Sequence, residues 1–221
     1  MKNQLVTQDY IKTIASLSFN NGGSIVKLKA VSTKLAVSNA AVSDMVKKLV
    51  KDGLVINHAY KGIELTDEGW ALGRRLIRHH RLWEVFLHKT LDVPWDEVHA
   101  EAEHLEHAAS DALINRIDAY LGYPKVDPHG NPIPTIDGEF SLNANEVALF
   151  DGNKGQMYTV VRFESLDSAY LNYLSQKGFA IHVPIQIVER FEFDESLLVD
   201  ISGQHIQLSA AIAKQVFVTK S

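Results

Sequence analysis

Four of the six prolines in this 221-residue chain, Pro124, Pro128, Pro132 and Pro134, fall between Gly122 and Ser141, with Gly130 and Gly138 among them. Proline interrupts helices and sheet ladders alike, so the segment predicts a linker or a pinned, extended loop that divides the chain. The spacing of apolar residues changes across it. Before it, they recur at i, i+3, i+4 and i+7; after it, they come in short β-branched and aromatic runs. The expected fold is mainly α with a β-rich C-terminal domain.

The first part predicts an ordered series of elements. Residues 4–19 read as a helix on Val6, Tyr10, Ile11, Ile14 and Leu17, stopped by Asn20-Asn21-Gly22-Gly23. A second helix runs from about Lys27 to Leu35. After a short turn, Ser38 is placed to cap a third helix carrying Val42, Met45, Val46 and Leu49, with Gly53 at its end. Leu54–His58 and Ile63–Thr66 flank Ala59-Tyr60-Lys61-Gly62 as a hairpin. Thr66 starts a long helix to about Leu91, followed by helices over Trp95–Ala108 and Ser110–Leu121. Beyond the proline-rich segment, strands are expected at Glu146–Phe150, Met157–Phe163, Ile181–Val183, Ile185–Phe193, Leu197–Ile201 and Gln215–Thr219. One helix is expected over Asp167–Gln176, giving a small β-rich barrel.

Charge divides the chain as well. The net charge of -5 conceals a first part, residues 1–78, with 12 basic and 6 acidic residues, and a remainder with 10 and 21. A basic part suits a polyanion, and an acidic part rich in histidine suits a cation. In a helix-turn-helix the second helix enters the major groove, its first turn facing base edges and flanking lysines facing phosphates. Here that turn is Ser38-Asn39-Ala40-Ala41-Val42-Ser43. Lys29, Lys47, Lys48 and Lys61 are among the lysines in reach of a backbone, and Ser38, Asn39, Ala41 and Ser43 are candidate DNA contacts. A three-helix domain with a solvated lysine face is the plain alternative.

Six of the ten histidines and seven carboxylates lie between His79 and His107. On one helix, His99 at 0° places Glu103 at about 40°, Glu106 at about -20° and His107 at about 80°. His80 and Glu84 are one turn apart on the long helix. Carboxylates and imidazoles on one face repel unless a cation neutralises them. Singly, each is better read as solvated, and His79, His88 and His104 are read so. With no cysteine in the chain, disulfides, thiolate zinc sites, iron–sulfur clusters and a cysteine nucleophile are excluded. A cation here has nitrogen and oxygen ligands; Mn(II), Fe(II), Co(II) and Zn(II) fit, with a lean to Mn(II). Glu-His-Leu-Glu-His at 103–107 is not the zinc-protease motif, and neither a phosphate loop nor a dinucleotide fingerprint is present. A metalloenzyme and a winged-helix regulator of an organic ligand are the rival classes. No apolar run reaches the roughly 18 residues of a membrane span, and the first residues lack signal-peptide order. A cytoplasmic protein without membrane partners is expected.

The residues His80-Arg81-Leu82-Trp83-Glu84, then His99-x-x-x-Glu103-x-x-Glu106-His107, then Gly130-Asn131-Pro132-Ile133-Pro134, resemble the diphtheria toxin repressor family of metal-dependent transcription regulators. The resemblance covers essentially the whole chain. It implies a winged helix-turn-helix DNA-binding domain (1–73), a helical metal-binding and dimerisation domain (74–140, including the linker 122–141) and an SH3-like domain (142–221). It also implies a primary metal site of Asp9, Glu103, Glu106 and His107, and a second site of His80, Glu84 and His99 completed by Glu164, with Asp167 as the alternative. Oxygen ligands at Asp9 and Glu103, where the iron-responsive branch carries sulfur, point to manganese. Where two-domain manganese regulators have a second glutamate, this chain has Lys12, which favours two separated mononuclear sites. The implied function is a manganese-dependent repressor, with no enzymatic activity and no organic ligand, binding palindromic operators as a homodimer and controlling metal-uptake genes. Iron or zinc sensing is the alternative.

Overall fold

The computed structural model describes the chain except residues 1, 24, 140–144, 165, 166 and 221, and the side chains of residues 2–4. The expected end of the linker at Ser141 therefore lies outside the described residues. The chain divides into two compact units. The first comprises residues 1–80, 106–114 and 134–139, and the second comprises residues 81–105, 115–133 and 140–221.

In the first unit, α1 (Lys2–Asn20), α2 (Leu28–Lys34) and α3 (Asn39–Lys51) precede the hairpin β1 (Val55–His58) and β2 (Gly62–Leu65). The apolar stripes predicted from spacing meet in one core of Ile11, Ile14, Val31, Val42, Val46, Leu49 and Ile63. Each such aliphatic side chain contributes about 1.5–3 kcal/mol on burial. Ser38 accepts a hydrogen bond from the Ala41 amide, the N-cap expected of it. The hairpin gains a third pairing, because Val26 and Ile63 exchange both backbone hydrogen bonds at 2.8 Å. Thr66 Oγ1 accepts from the Gly69 amide and opens α4 (Asp67–Leu91). Gly73 in α4 has a packing reason: a Cβ there would lie 2.5 Å from the Cβ of Ala15, so only glycine lets α4 approach α1 this closely.

α5 spans only Val98–Leu105, shorter at both ends than predicted. Pro94 holds residues 95–97 in a turn, with its carbonyl accepting from the Glu97 and Val98 amides. Glu106 and His107 consequently lie in the turn beyond α5, not on a single helix with His99 and Glu103. α6 spans Asp111–Tyr120.

The C-terminal part forms a six-stranded antiparallel sheet in the order β3-β8-β4-β5-β6-β7. Its strands are β3 (Val147–Ala148), β4 (Met157–Phe163), β5 (Pro184–Arg190), β6 (Leu197–Ile201), β7 (Gln204–Leu208) and β8 (Val216–Lys220). Bulges in β4 and β5 bend the sheet around Phe163, Phe179, Leu171 and Leu174. α7 (Ser168–Gln176) starts one residue later than predicted, with Asp167 as its N-cap accepting from the Tyr170 amide. The prediction errs at three places. Leu149–Asp151 is a 3-10 turn rather than strand. Residues 181–183 form a turn in which His182 has φ 70°. β7 and the short α8 (Ala210–Ala213) were missed, because Gln204-His205-Ile206-Gln207-Leu208 places polar residues at alternate positions in too short a run.

Candidate metal centres

Within the first unit, α1 carries Gln8, Asp9 and Lys12 on one side, and the turn after α5 carries Glu106 and His107. Glu106 is the hub. Its carboxylate is fully buried, with Oε1 2.6 Å from Lys12 Nζ and Oε2 2.5 Å from His80 Nδ1. Oε1 is also 3.2 Å from His107 Nε2, and that nitrogen is 2.8 Å from Asp9 Oδ1. The other ring nitrogen of His107, Nδ1, donates to Gln8 Oε1 at 2.9 Å. With Nδ1 turned to Gln8, the Nε2 edge of His107 faces two carboxylate oxygens. Asp9, Glu106 and His107 each offer one ligand atom within 4.8 Å of the others. The donors are oxygen and nitrogen, the set that hard or borderline divalent cations take.

A second centre is wholly buried within the second unit. α4 supplies Glu84, and the proline-rich segment supplies Asp127 and His129, again with ligand atoms within 4.8 Å of one another. The segment is a pinned loop: Val126 bridges Pro132, and Asp127 Oδ1 accepts from the backbone amides of His129 at 2.8 Å and Asn131 at 2.9 Å. Gly130, at φ 85°, presses onto β4, where a Cβ would lie 1.9 Å from the Val161 carbonyl oxygen. His129 Nε2 donates to the Trp95 carbonyl at 2.7 Å. A carbonyl only accepts, so Nε2 carries the proton and Nδ1 faces inward, 3.7 Å from Glu84 Oε1 and 4.0 Å from Asp127 Oδ1. His129 Nδ1 and Asp127 Oδ2 are buried without a hydrogen-bond partner among the described residues. Burial pushes the Asp127 carboxyl above the usual carboxylate range and the Glu84 charge adds to this, while His129 and Arg81 pull the other way. Arg81 Nε lies 3.6 Å from Asp127 Oδ2, and its guanidinium donates to the Pro132 carbonyl. An imidazole locked by a backbone carbonyl with its other nitrogen aimed at carboxylates is the arrangement of a metal-ligating histidine. The residues fit a cation.

Asp9, Glu106 and His107 come together within the first unit, and within the second the Glu103 carboxylate lies 3.7 Å from His99 Nε2. Of the expected second set, Glu84 and His99 are neighbours at 3.1 Å within the second unit, and His80 bonds Glu106 within the first. Glu164 is exposed, and its charge reinforces the burial that raises the Tyr170 hydroxyl pKa; Asp167 caps α7. Sequence reading missed Asp127 and His129 as candidate ligands, although Asp-Pro-His-Gly-Asn-Pro stood in the segment read as a loop. It also misread His79, which is buried between Asp111, at 2.8 Å, and the Glu106 carbonyl. His104 is exposed, as expected.

Three family models match the chain: the iron-dependent repressor N-terminal DNA-binding domain over residues 4–63, the iron-dependent repressor metal-binding and dimerisation domain over 66–135, and the FeoA domain over 147–220. A solved manganese-dependent transcriptional repressor in complex with manganese superposes with a TM-score of 0.87 at 35% identity, covering 97% of this chain and 100% of that one. The chain belongs to the diphtheria toxin repressor family. The diphtheria toxin repressor of Corynebacterium glutamicum is 28% identical over 225 residues, 97% of this chain and 96% of its own length. The iron-dependent repressor IdeR of Mycobacterium tuberculosis is 37% identical over 137 residues, 61% of this chain and only 58% of its own length. As in other three-domain members of the diphtheria toxin repressor family, helical DNA-binding and dimerisation domains precede a β-rich C-terminal domain.

The winged helix-turn-helix presents the sequence-predicted DNA face unevenly. Lys29, Ser38, Asn39, Ala41, Lys47 and Lys61 are exposed. Ser43 is half-buried and donates to the Asn39 carbonyl, and Lys48 bonds Thr7 on α1 at 2.8 Å. Tyr60, which sequence reading took only as a turn residue, stands fully exposed at the hairpin tip with φ 63°.

Proposed function

We propose that the protein is a manganese-responsive transcriptional repressor that binds palindromic operators as a homodimer and governs metal uptake. The observation that carries this reading is the Asp9–Glu106–His107 group. It joins α1 of the DNA-binding module to the turn after α5 through oxygen and nitrogen donors alone. Asp9, Glu106 and His107 would hold one cation, and Glu84, Asp127 and His129 a second. When bound, the cation would add positive charge where these carboxylates converge. Glu106 and His107 would then fix Asp9, and with it the α1–α3 core on which the recognition helix α3 is mounted. In a two-fold dimer the placement of α3 matches half-sites a whole number of helical turns apart. Metal and DNA then favour the same arrangement, and each tightens binding of the other.

The manganese assignment rests on the sulfur-free donor set and on the manganese-dependent repressor named above. An iron- or zinc-responsive repressor is the second reading, and its iron form is favoured by the iron-dependent mycobacterial relatives. We assign no enzymatic step to either centre. The module boundaries we adopt are 1–73, 74–140 and 142–221, with the protein acting in the cytoplasm; no helix among the described residues is long and apolar enough to cross a membrane.

The test begins with DNA fragments selected by the Mn(II)-loaded protein, followed by anisotropy titrations in chelator, Mn(II), Fe(II), Co(II) and Zn(II). Affinity should rise with metal, most at physiological Mn(II), and Glu106→Ala should lose the metal response while keeping its fold by circular dichroism. Equal affinity in chelator and in metal would sink the corepressor reading.

A further inference from the structure

Lys12 supplies a positive charge inside the first centre. Its Nζ is 2.6 Å from Glu106 Oε1, its side chain is 12% exposed, and the carboxylate it meets is fully buried. The same Oε1 lies 3.2 Å from His107 Nε2. A carboxylate oxygen has two lone-pair directions, and Lys12 takes one of them. Charge-assisted bonds to a desolvated carboxylate are the strong class of hydrogen bond. Lys12 also follows Asp9 by three residues on α1, so its stem rises from the same side of the helix as the Asp9 carboxylate.

We infer that Lys12 is a built-in competitor for the cation at the Asp9–Glu106–His107 centre and raises the metal concentration at which that centre fills. The inference rests on the proposed reading of this group as a metal centre. A cation taking Glu106 Oε1 meets the ammonium on the same oxygen, where two positive charges about 4 Å apart repel strongly in a low-dielectric site. The ammonium therefore leaves, and the measured affinity is the difference between two cation complexes of one carboxylate. Lysine suits the part, because its charge sits on a flexible four-carbon stem and can swing to water. In the metal-free chain it pairs with the buried Glu106 carboxylate, whose charge would otherwise be destabilising there.

The experiment is equilibrium dialysis of Mn(II) against the full chain, taking as signal the binding that Glu106→Ala loses. Lys12→Met should bind Mn(II) about tenfold tighter or more, since a charge-assisted hydrogen bond exceeds the ~1.4 kcal/mol that makes one factor of ten. Lys12→Gln should shift the same way by less. Metal-free Lys12→Met should melt below metal-free wild type, and saturating Mn(II) should close that gap. Should Lys12→Met fail to fold, the wild type still decides: amine acylation of Lys12, read by mass spectrometry, should speed up on saturation with Mn(II). Wild-type or weaker affinity in a folded Lys12→Met, or an unchanged acylation rate, overturns the inference while leaving the metal centre in place. Absence of any Glu106-dependent Mn(II) binding in the wild type overturns the centre and the inference together.

Discussion

The two centres use the same chemistry in opposite settings. The Asp9–Glu106–His107 group draws on α1 and on a turn, keeps Asp9 partly open to solvent at 41% side-chain exposure, and sets the Lys12 ammonium against the Glu106 carboxylate. The Glu84–Asp127–His129 group has no exposed side chain and balances its charge with Arg81. On the proposed reading, the first suits exchange with a cellular pool, because Asp9 is open to water and the Lys12 ammonium can swing away. The second suits an internal brace between α4 and the proline-rich loop, where entry would require that loop to open, and local opening of packed structure is slow and rare.

The largest break in this comparison is expected from Gly130→Ala. A Cβ at φ 85° and 1.9 Å from the Val161 carbonyl adds left-handed strain to a backbone clash, a loss on the order of 3 kcal/mol or more. The loop carrying Asp127 and His129 would lift from β4. Chemical denaturation should show the second unit destabilised, and metal analysis should show the buried centre lost. Metal binding that depends on Glu106 should survive. If both centres fail together, their independence is wrong.

How far the sequence disclosed these centres follows from where periodicity exists. The apolar stripes of α1 and α3, the cap at Ser38 and the proline-free run of α4 are regular signals, and their elements fall within a residue or two of expectation. The helical wheel rightly put Glu106 beside His107 but wrongly extended α5 through them, because Pro94 and the turn it caps shorten the helix at one end and no stop residue marks the other. Asp127 and His129 lie in a loop, where no period marks which side chains converge. Their signal was chemical: an aspartate, a histidine and a glycine needing positive φ, locked between prolines. Lys12 was legible as a departure from the resembling family, and its charge was informative, but its pairing with Glu106 joins residues 94 apart and no local pattern predicts that.

A smaller effect separates the centres by kinetics. Replacing His129 with Gln removes the only nitrogen ligand of the buried group while keeping a polar side chain, and is expected to weaken metal retention there by roughly the 10–100-fold typical of disturbed metal surroundings, or more. With Mn(II)-loaded wild type, chelator should strip metal in two phases, the slow one belonging to the buried group. His129→Gln should remove the slow phase alone, and operator affinity in Mn(II) should change little. A single phase in the wild type would mean that burial does not gate exchange.

The smallest effect is that of pH on the first unit, through a histidine beside the first centre but outside its ligand set. Burial lowers the His79 pKa from its ordinary value of 6.5, and hydrogen bonds to Asp111 and to the Glu106 carbonyl oppose this without reversing it. In the unfolded chain the ring takes up its proton near pH 6.5; in the folded chain it does so only at lower pH. Between those two values the unfolded state binds more protons, so stability rises with pH. The contribution is full above pH 6.5 and is lost as the pH falls below it towards the folded value. Asp111 has the opposite protonation chemistry and a far lower window: the bond from Arg75 holds its carboxyl below 3.8, so its contribution persists through this range and is lost only in strong acid. Urea unfolding in chelator from pH 8 to pH 5 should therefore show a steeper loss in wild type than in His79→Gln. Parallel slopes would mean that His79 is as readily protonated folded as unfolded, and that its burial leaves it open to water.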